Sequence, residues 1–288
     1  MNNEEKGAVR HGVSGAVNYI RNPPASDDEQ LTFFSEAEEN STMLTLPGRE
    51  VWIRNGRELA STLDREGFKL ISHQSAISDF DGIELDPTTS SQYMEELGAL
   101  VVKETGAVQV IGLGGAKQRF SEGATDKLAP LFNAKPARYP HADNTDTSSA
   151  QQIKMFVEAI AGLKMDAFSR YALFNIWRCV SPAPQDCPLA VCDATSIAAS
   201  DEVPVTAVTM VHGVGEVRHA TTSYLYNPQH RWHYFPDMTR DEVIVFKTHD
   251  TDENQARRVA HTAFDDPTCP PGTHARASVE ARILAIFE

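Results

Sequence analysis

From residue 170 onward the apolar residues come in short runs, 171–178, 189–192, 204–211, 216–226, 232–235, 242–247 and 276–287, each closed by Pro, Gly, Asp or Asn. Such runs predict β-strands, and strands that follow one another without helices between them predict a sandwich or jelly roll rather than a doubly wound sheet. Upstream the rhythm is helical in two places. Ser90-Ser91 opens a pattern through Tyr93, Leu97, Leu100 and Val101 that stops at Gly106, which predicts a helix over roughly 90–105. A second helix is expected from Ser148 to about Ala167, with Ile153, Phe156, Val157, Ile160 and Leu163 on one face. Val51-Trp52-Ile53-Arg54 and Phe68-Lys69-Leu70-Ile71 read as strands flanking the turn-bearing Asn55-Gly56, and 107–111 is a further short apolar run. A first strand falls around 16–20, and the Asn-, Pro-, Ser- and Glu-rich stretch 22–45 reads as an extended surface arm. The expected organisation is an N-terminal strand and arm over 1–45, then a single domain over 46–288, mainly β with flanking helices.

Composition narrows what such a domain can do. The chain has 288 residues, 41% hydrophobic and 23% charged, the mixture of an ordinary globular protein with a sizeable core. A formal net charge of −14 repels a phosphate backbone, so nucleic acid is excluded as a partner and an anionic ligand needs a local basic pocket. The polar start lacks the apolar core of a secretory signal, and no run approaches the roughly 18 apolar residues of a membrane span. The expected setting is therefore the cytoplasm. Cys179, Cys187, Cys192 and Cys269 form no Cys-x-x-Cys pair, so zinc spacing is absent and free thiols are expected. Val110-Ile-Gly-Leu-Gly-Gly-Ala116 begins like a dinucleotide-binding turn, but Lys117 takes the place of the last glycine and no βαβ alternation follows. It reads as a glycine-rich bend.

The chemistry concentrates around Arg138-Tyr-Pro-His141-Ala-Asp143. In an extended segment residues i and i+2 project to one face, so His141 and Asp143 can grip one ion. With a distant second imidazole they make a facial triad, which leaves positions open for a cosubstrate and oxygen. Among the remaining histidines His261 is best placed, in Val259-Ala-His261-Thr-Ala-Phe264 just before a turn. His11, His73, His230 and His233 read as surface or core hydrogen-bonding groups, and His249 as part of a solvated acidic loop. Arg276-Ala-Ser278 follows His261 by 15 residues and offers a planar fork and a hydroxyl to a carboxylate. Period two puts Arg276, Ser278, Glu280 and Arg282 on one strand face, opposite Ala277, Val279, Ala281 and Ile283. Arg282 stands too far along the strand to clasp the same carboxylate as Arg276.

Several multi-residue stretches resemble a known family. Leu63-Asp-Arg-Glu-Gly-Phe68, Tyr93-Met-Glu95, Thr105-Gly-Ala107, Pro140-His141-Ala-Asp143, Asn175-Ile-Trp177-Arg178, Trp232-His-Tyr-Phe-Pro-Asp-Met238, Phe246-Lys247, His261-Thr-Ala-Phe264 and Arg276-Ala-Ser278-Val-Glu280-Ala-Arg282 occur in the order seen in the cephamycin-hydroxylase-like and AsaB-like hydroxylase/desaturases, which include a fungal gibberellin desaturase. The resemblance covers about residues 16–288. It implies a double-stranded β-helix, a cupin-like jelly roll, that uses Fe(II), 2-oxoglutarate and O2 to oxidise a C–H bond of a small specialised-metabolism substrate. Hydroxylation, desaturation and ring closure such as aziridine formation are all open to such an enzyme. It further implies Fe(II) on His141, Asp143 and His261 and the far carboxylate of 2-oxoglutarate on Arg276 and Ser278. Asn175, Arg178 and Lys247 recur in the family pattern without an assigned role, while Ala142 and Asn144-Thr145 depart from it. Arg138, Arg178 and Lys247 add more positive charge than one 2-oxoglutarate requires. A second anion, such as a free amino acid, would account for the excess, and so would structural pairing with acids such as Asp193 or Asp237. Two rivals remain beside this reading: a cupin-like isomerase, lyase or 2-oxoglutarate-independent dioxygenase, and a binding module with structural histidines. Terpenoid or polyketide tailoring is the alternative to a small polar substrate.

Overall fold

The computed structural model describes residues 11–21, 30–34, 38–124, 135–159, 162, 168–211 and 215–288. Two sheets carry the fold. The larger has nine strands in the order β1 (Gly12–Val17), β3 (Arg49–Asn55), β12 (Trp232–Tyr234), β9 (Leu189–Cys192), β14 (His261–Ala263), β7 (His141–Ala142), β11 (Gly215–Tyr224), β10 (Glu202–Val211) and β2 (Leu31–Phe34). The smaller runs β4 (Phe68–Ser72), β13 (Glu242–Asp250), β8 (Arg170–Cys179), β15 (Ala277–Phe287) and β5 (Gln109–Gly112), with β6 (Lys117–Phe120) also paired to β15. The two sheets form the expected jelly roll.

The inner strands read as continuous apolar runs because both of their faces are covered. On β8, Phe174 and Ile176 pack under helix α1 (Pro87–Thr105) with Tyr93, Leu97 and Leu100. Trp177 and Cys179 face the other way, against Val191 of the large sheet and Phe246. Strand β1, by contrast, alternates buried and exposed residues, as an edge strand with one wet face should. Helix α1 begins three residues before the expected Ser90. Pro87 occupies its first turn, Asp86 caps the backbone N–H groups of Thr88 and Thr89 at 3.0 and 3.3 Å, and Gly106 closes it in the left-handed region at φ 73°. Helix α2 (Asp146–Ala159) buries Ile153 and Val157 as expected and likewise starts two residues early. The expected continuation over 160–161 and 163–167, and the side chain of Phe156, lie outside the described residues.

Three further expectations change. The arm over 22–45 contributes β2, which pairs in parallel with β10, and its Leu31 and Met43 pack on Ile20, Val203 and Val205. The strands on either side of Asn55-Gly56 belong to different sheets, and Asn55 caps a single 3-10 turn between them. His249 is not in a solvated loop but buried at the end of β13. The acidic residue beside it, Asp250, is neutralised by Arg170 and Lys247 at 2.7 and 2.6 Å, which lets an acidic stretch enter the core. The glycine-rich bend joins β5 to β6, both antiparallel to β15. All four cysteines are free. Among the described residues no helix is long and apolar enough to cross a membrane.

Candidate metal centre

Strand β7 is only two residues long and lies between β14 and β11, so His141 pairs directly with His261 across the β7–β14 ladder. Their ring centroids are 4.3 Å apart. Each imidazole is fixed through Nδ1 by a carbonyl two residues back in its own chain, Tyr139 O for His141 at 3.0 Å and Val259 O for His261 at 3.2 Å. Both Nε2 atoms then face Asp143 Oδ1, at 3.7 and 3.6 Å, and one ligand atom from each of the three residues falls within 4.8 Å of the others. For comparison, cis ligands at about 2.1 Å from an octahedral ion stand roughly 3 Å apart, so a small contraction closes the site. Two nitrogens and one carboxylate oxygen on one side of the ion is the donor set of a non-haem iron centre with open positions.

The electrostatics suit a cation. Burial, helped by His261, pushes the His141 pKa down to about 4, and burial also lowers His261, so both imidazoles are in the neutral, ligating form. Burial alone would raise the Asp143 carboxyl. The Arg282 guanidinium and the two neighbouring imidazoles overcome it and hold Asp143 well below the usual carboxylate range. Phe246 packs on His261 at 4.8 Å and screens that side from water.

The triad opens into a cavity of about 620 Å³, and β15 with the residue before it supplies one wall of it through Arg276, Glu280 and Arg282. Arg276 is 3% exposed, donates from Nη1 to Ser278 Oγ at 2.5 Å and lies 5.7 Å from the Trp177 ring. Among the described residues no carboxylate comes within 4.0 Å of its guanidinium, and its Nε has no partner. A buried cation in that state awaits an anion. Arg282 instead donates to Asp143 Oδ2 at 2.8 Å, and Asn175 donates to the same oxygen at 2.6 Å.

The other cations expected here are otherwise engaged. Arg138 lines the cavity but forks onto Glu122 at 2.7 Å and reaches Asp265 at 2.9 Å. Arg178 points away, to the α1 side of β8, where Tyr93 Oη, His73 and the Arg240 carbonyl take its donors. Lys247 is fully buried on Asp250 and Asp64, at 2.6 and 3.1 Å. Neither Asp193, which pairs with Arg231, nor Asp237 is a partner. Two of the three surplus cations therefore lie away from the cavity, although Arg119 and Lys135 also line it. Period two explains this: Asn175 and Arg178 are three apart on one strand and must face opposite sides. Tyr139, Phe33, His219 and Thr221 line the cavity without having been singled out by sequence. For His219 and Thr221 the available signal was their alternation with each other along β11.

A family model described as an oxidoreductase/YMDC permease-like domain matches residues 17–286. The hydroxylase/desaturase efuI of Hormonema carpetanum is 31% identical, over 96% of this chain and 95% of the relative. The Fe(II)/2-oxoglutarate-dependent dioxygenase nvfI of Aspergillus novofumigatus is 27% identical over 77% of each chain. A solved structure of the iron and alpha-ketoglutarate-dependent endoperoxidase NvfI superposes with a TM-score of 0.79 at 22% identity, covering 96% of this chain and 98% of that one.

Proposed function

We propose, from the premise that this chain belongs to the hydroxylase/desaturase family of iron(II)- and 2-oxoglutarate-dependent oxygenases, that His141, Asp143 and His261 hold its iron and that Arg276 and Ser278 hold the far carboxylate of 2-oxoglutarate. The enzyme is a non-haem iron dioxygenase that oxidises small molecules with Fe(II), 2-oxoglutarate and O2. One observation carries the residue assignment: the triad shares its cavity with a buried arginine that has a hydroxyl partner but no acid.

When bound, iron and 2-oxoglutarate supply the oxidising power, as oxygen is consumed, 2-oxoglutarate becomes succinate and carbon dioxide, and a substrate C–H bond is oxidised. The protein's residues do the rest by placement. The imidazoles and Asp143 would hold the ion, and all three line the cavity. Arg276 and Ser278 orient the cosubstrate from the β15 wall, with Trp177 beneath the guanidinium keeping water off that pair. Phe33, Tyr139, Ala207 and Val217, together with Thr209, Thr221 and His219, wall the substrate side. Those side chains offer apolar surface and a few hydrogen-bonding groups to a small molecule, with Arg119 and Lys135 on the same cavity. We place the enzyme in the cytoplasm, in keeping with its four free thiols, and expect neither nucleic acid nor a membrane as a partner.

Aerobic incubation with Fe(II), 2-oxoglutarate and a panel of small terpenoids, polyketides and amino acids tests the reading. Succinate formed in step with an oxidised product is the expected result. Product formation that continues without 2-oxoglutarate would return the cupin-like alternative, and an unchanged cosubstrate demand in Arg276→Ala would move the carboxylate anchor elsewhere.

A further inference from the structure

We infer that Asn175 and Arg282 are paired positioning residues that occupy the outer oxygen of Asp143, so that this carboxylate offers the metal one oxygen only. The inference rests on Asp143 being a metal ligand, as proposed above. Register sets it up: Arg282 on β15 stands directly opposite Asn175 on β8. From the small sheet both side chains reach across to the turn after β7 and converge on one atom. Asn175 Nδ2 lies 2.6 Å and Arg282 Nη2 2.8 Å from Asp143 Oδ2. The other oxygen, Oδ1, is the one that faces His141 and His261. The carboxylate is thus divided, with two donors on one oxygen and two imidazoles beside the other.

The division matters because a carboxylate free at both oxygens can chelate an ion through both. That would consume one of the positions a facial triad leaves for cosubstrate and oxygen. Glu280 holds the arrangement from the far side, with Oε1 3.5 Å from Asn175 Nδ2 and 3.6 Å from Arg282 Nη2. The two donors also differ in a useful way. Arg282 lines the cavity, whereas Asn175 is fully buried and does not. An effect shared by variants of both residues must therefore pass through Asp143 rather than through a contact with cosubstrate.

Simple electrostatics gives the opposite sign from positioning. Removing a positive charge beside a divalent ion should tighten the ion, whereas losing a group that orients a ligand should loosen it. The test uses metal-free protein reloaded with cobalt(II) alone, read by its visible absorption bands and by competition for the metal. Arg282→Met and Asn175→Leu are each expected to shift the bands and to weaken cobalt binding roughly tenfold. The double variant should be little worse than the weaker single one, because both act on one carboxylate. Arg282→Lys, which keeps a donor and the charge, should recover part of the affinity. Unchanged bands, tighter cobalt binding in Arg282→Met, or fully additive losses would each overturn the proposal. If Asn175→Leu fails to fold, the sign of the change at the partly exposed Arg282 decides alone. A wild-type protein that takes up no cobalt would instead remove the metal assignment, and the pairing with it.

Discussion

Replacing Arg276 with alanine or methionine should separate cosubstrate capture from every other property of the enzyme. The guanidinium is 3% exposed, and its Nη1 meets only Ser278. A charge-assisted pair in such a place is worth about 2–5 kcal/mol. Ser278 survives the substitution and water can fill the space, so the lower part of that range, about 2–3 kcal/mol, applies. At 1.4 kcal/mol per tenfold change this is a rise of roughly 30- to 150-fold in the 2-oxoglutarate dissociation constant. Anaerobic titration of 2-oxoglutarate into the Fe(II)-loaded protein measures it without turnover.

The same residue should have the reverse effect on stability when no cosubstrate is present. An unpaired buried cation is costly, so Arg276→Met is expected to stabilise the cosubstrate-free protein by about 1–3 kcal/mol. Wild-type protein at 100 times its dissociation constant gains about 2.7 kcal/mol from the ligand, whereas a variant weakened 100-fold gains only about 0.4 kcal/mol at that concentration. Thermal midpoints with and without 2-oxoglutarate should therefore cross over between the two proteins as long as the cosubstrate-free gain stays below about 2.3 kcal/mol. Unchanged cosubstrate affinity in Arg276→Met, with the rise appearing in Arg282→Ala or Arg178→Ala, would move the anchor elsewhere and refute this reasoning.

His141→Ala, Asp143→Ala and His261→Ala should each abolish iron binding in a protein that still melts cooperatively; retention of stoichiometric iron by any one of them removes that residue from the site. Lys247→Met strands the buried Asp250 with Arg170 alone and should cost about 3 kcal/mol in urea unfolding while leaving the 2-oxoglutarate dissociation constant as it was, and a change in that constant would restore Lys247 to the cavity. His249, like His233, is held neutral by burial with its pKa down at about 4. The unfolded chain then binds more protons than the native one between about pH 6.5 and 4, so stability falls as pH drops through that window, by up to about 3 kcal/mol per group. His249→Leu should flatten this slope in denaturant titrations at pH 7 and 4.5, and an unaltered slope would show that His249 does not contribute to it.

Much of the site was legible because it follows local periodicity. The i, i+2 relation of His141 and Asp143 and the alternation of Arg276, Ser278, Glu280 and Arg282 are local properties of short extended stretches, and the structure brings His141 to Asp143 and Arg276 to Ser278. The strands of the second half were legible because burial on both faces forces apolar runs that no helix would need. Partners distant in sequence were not. That Asn175 faces Arg282 depends on the register of β8 against β15, and no spacing in the chain encodes that register. Polar neighbours misled in the opposite direction at His249, where Asp250 enters the core because Arg170 arrives from β8. The α1 boundary was missed at Asp86-Pro87, although an acidic cap followed by proline is a strong start signal in its own right.

The division of labour between the sheets explains how so short a strand as β7 and the bend after it can present two candidate ligands. Two residues of ladder cannot by themselves fix the direction of Asp143, which lies just beyond the strand's end. His141 needs no outside help, since its own chain holds it through Tyr139 O and its neighbour His261 is fixed likewise. Asp143 has no such local support, and its orientation comes instead from β8 and β15 of the opposite sheet, whose long pairing from Ser278↔Cys179 to Phe287↔Arg170 makes a rigid platform. Arg276 stands just before β15 and lines the same cavity as Glu280 and Arg282. A shift of β15 against β8 would therefore disturb the candidate metal centre and the proposed cosubstrate anchor together. This coupling favours burying the strand on both sides, as Val279, Ala281 and Ile283 do beneath α1, over leaving its polar face on a mobile edge.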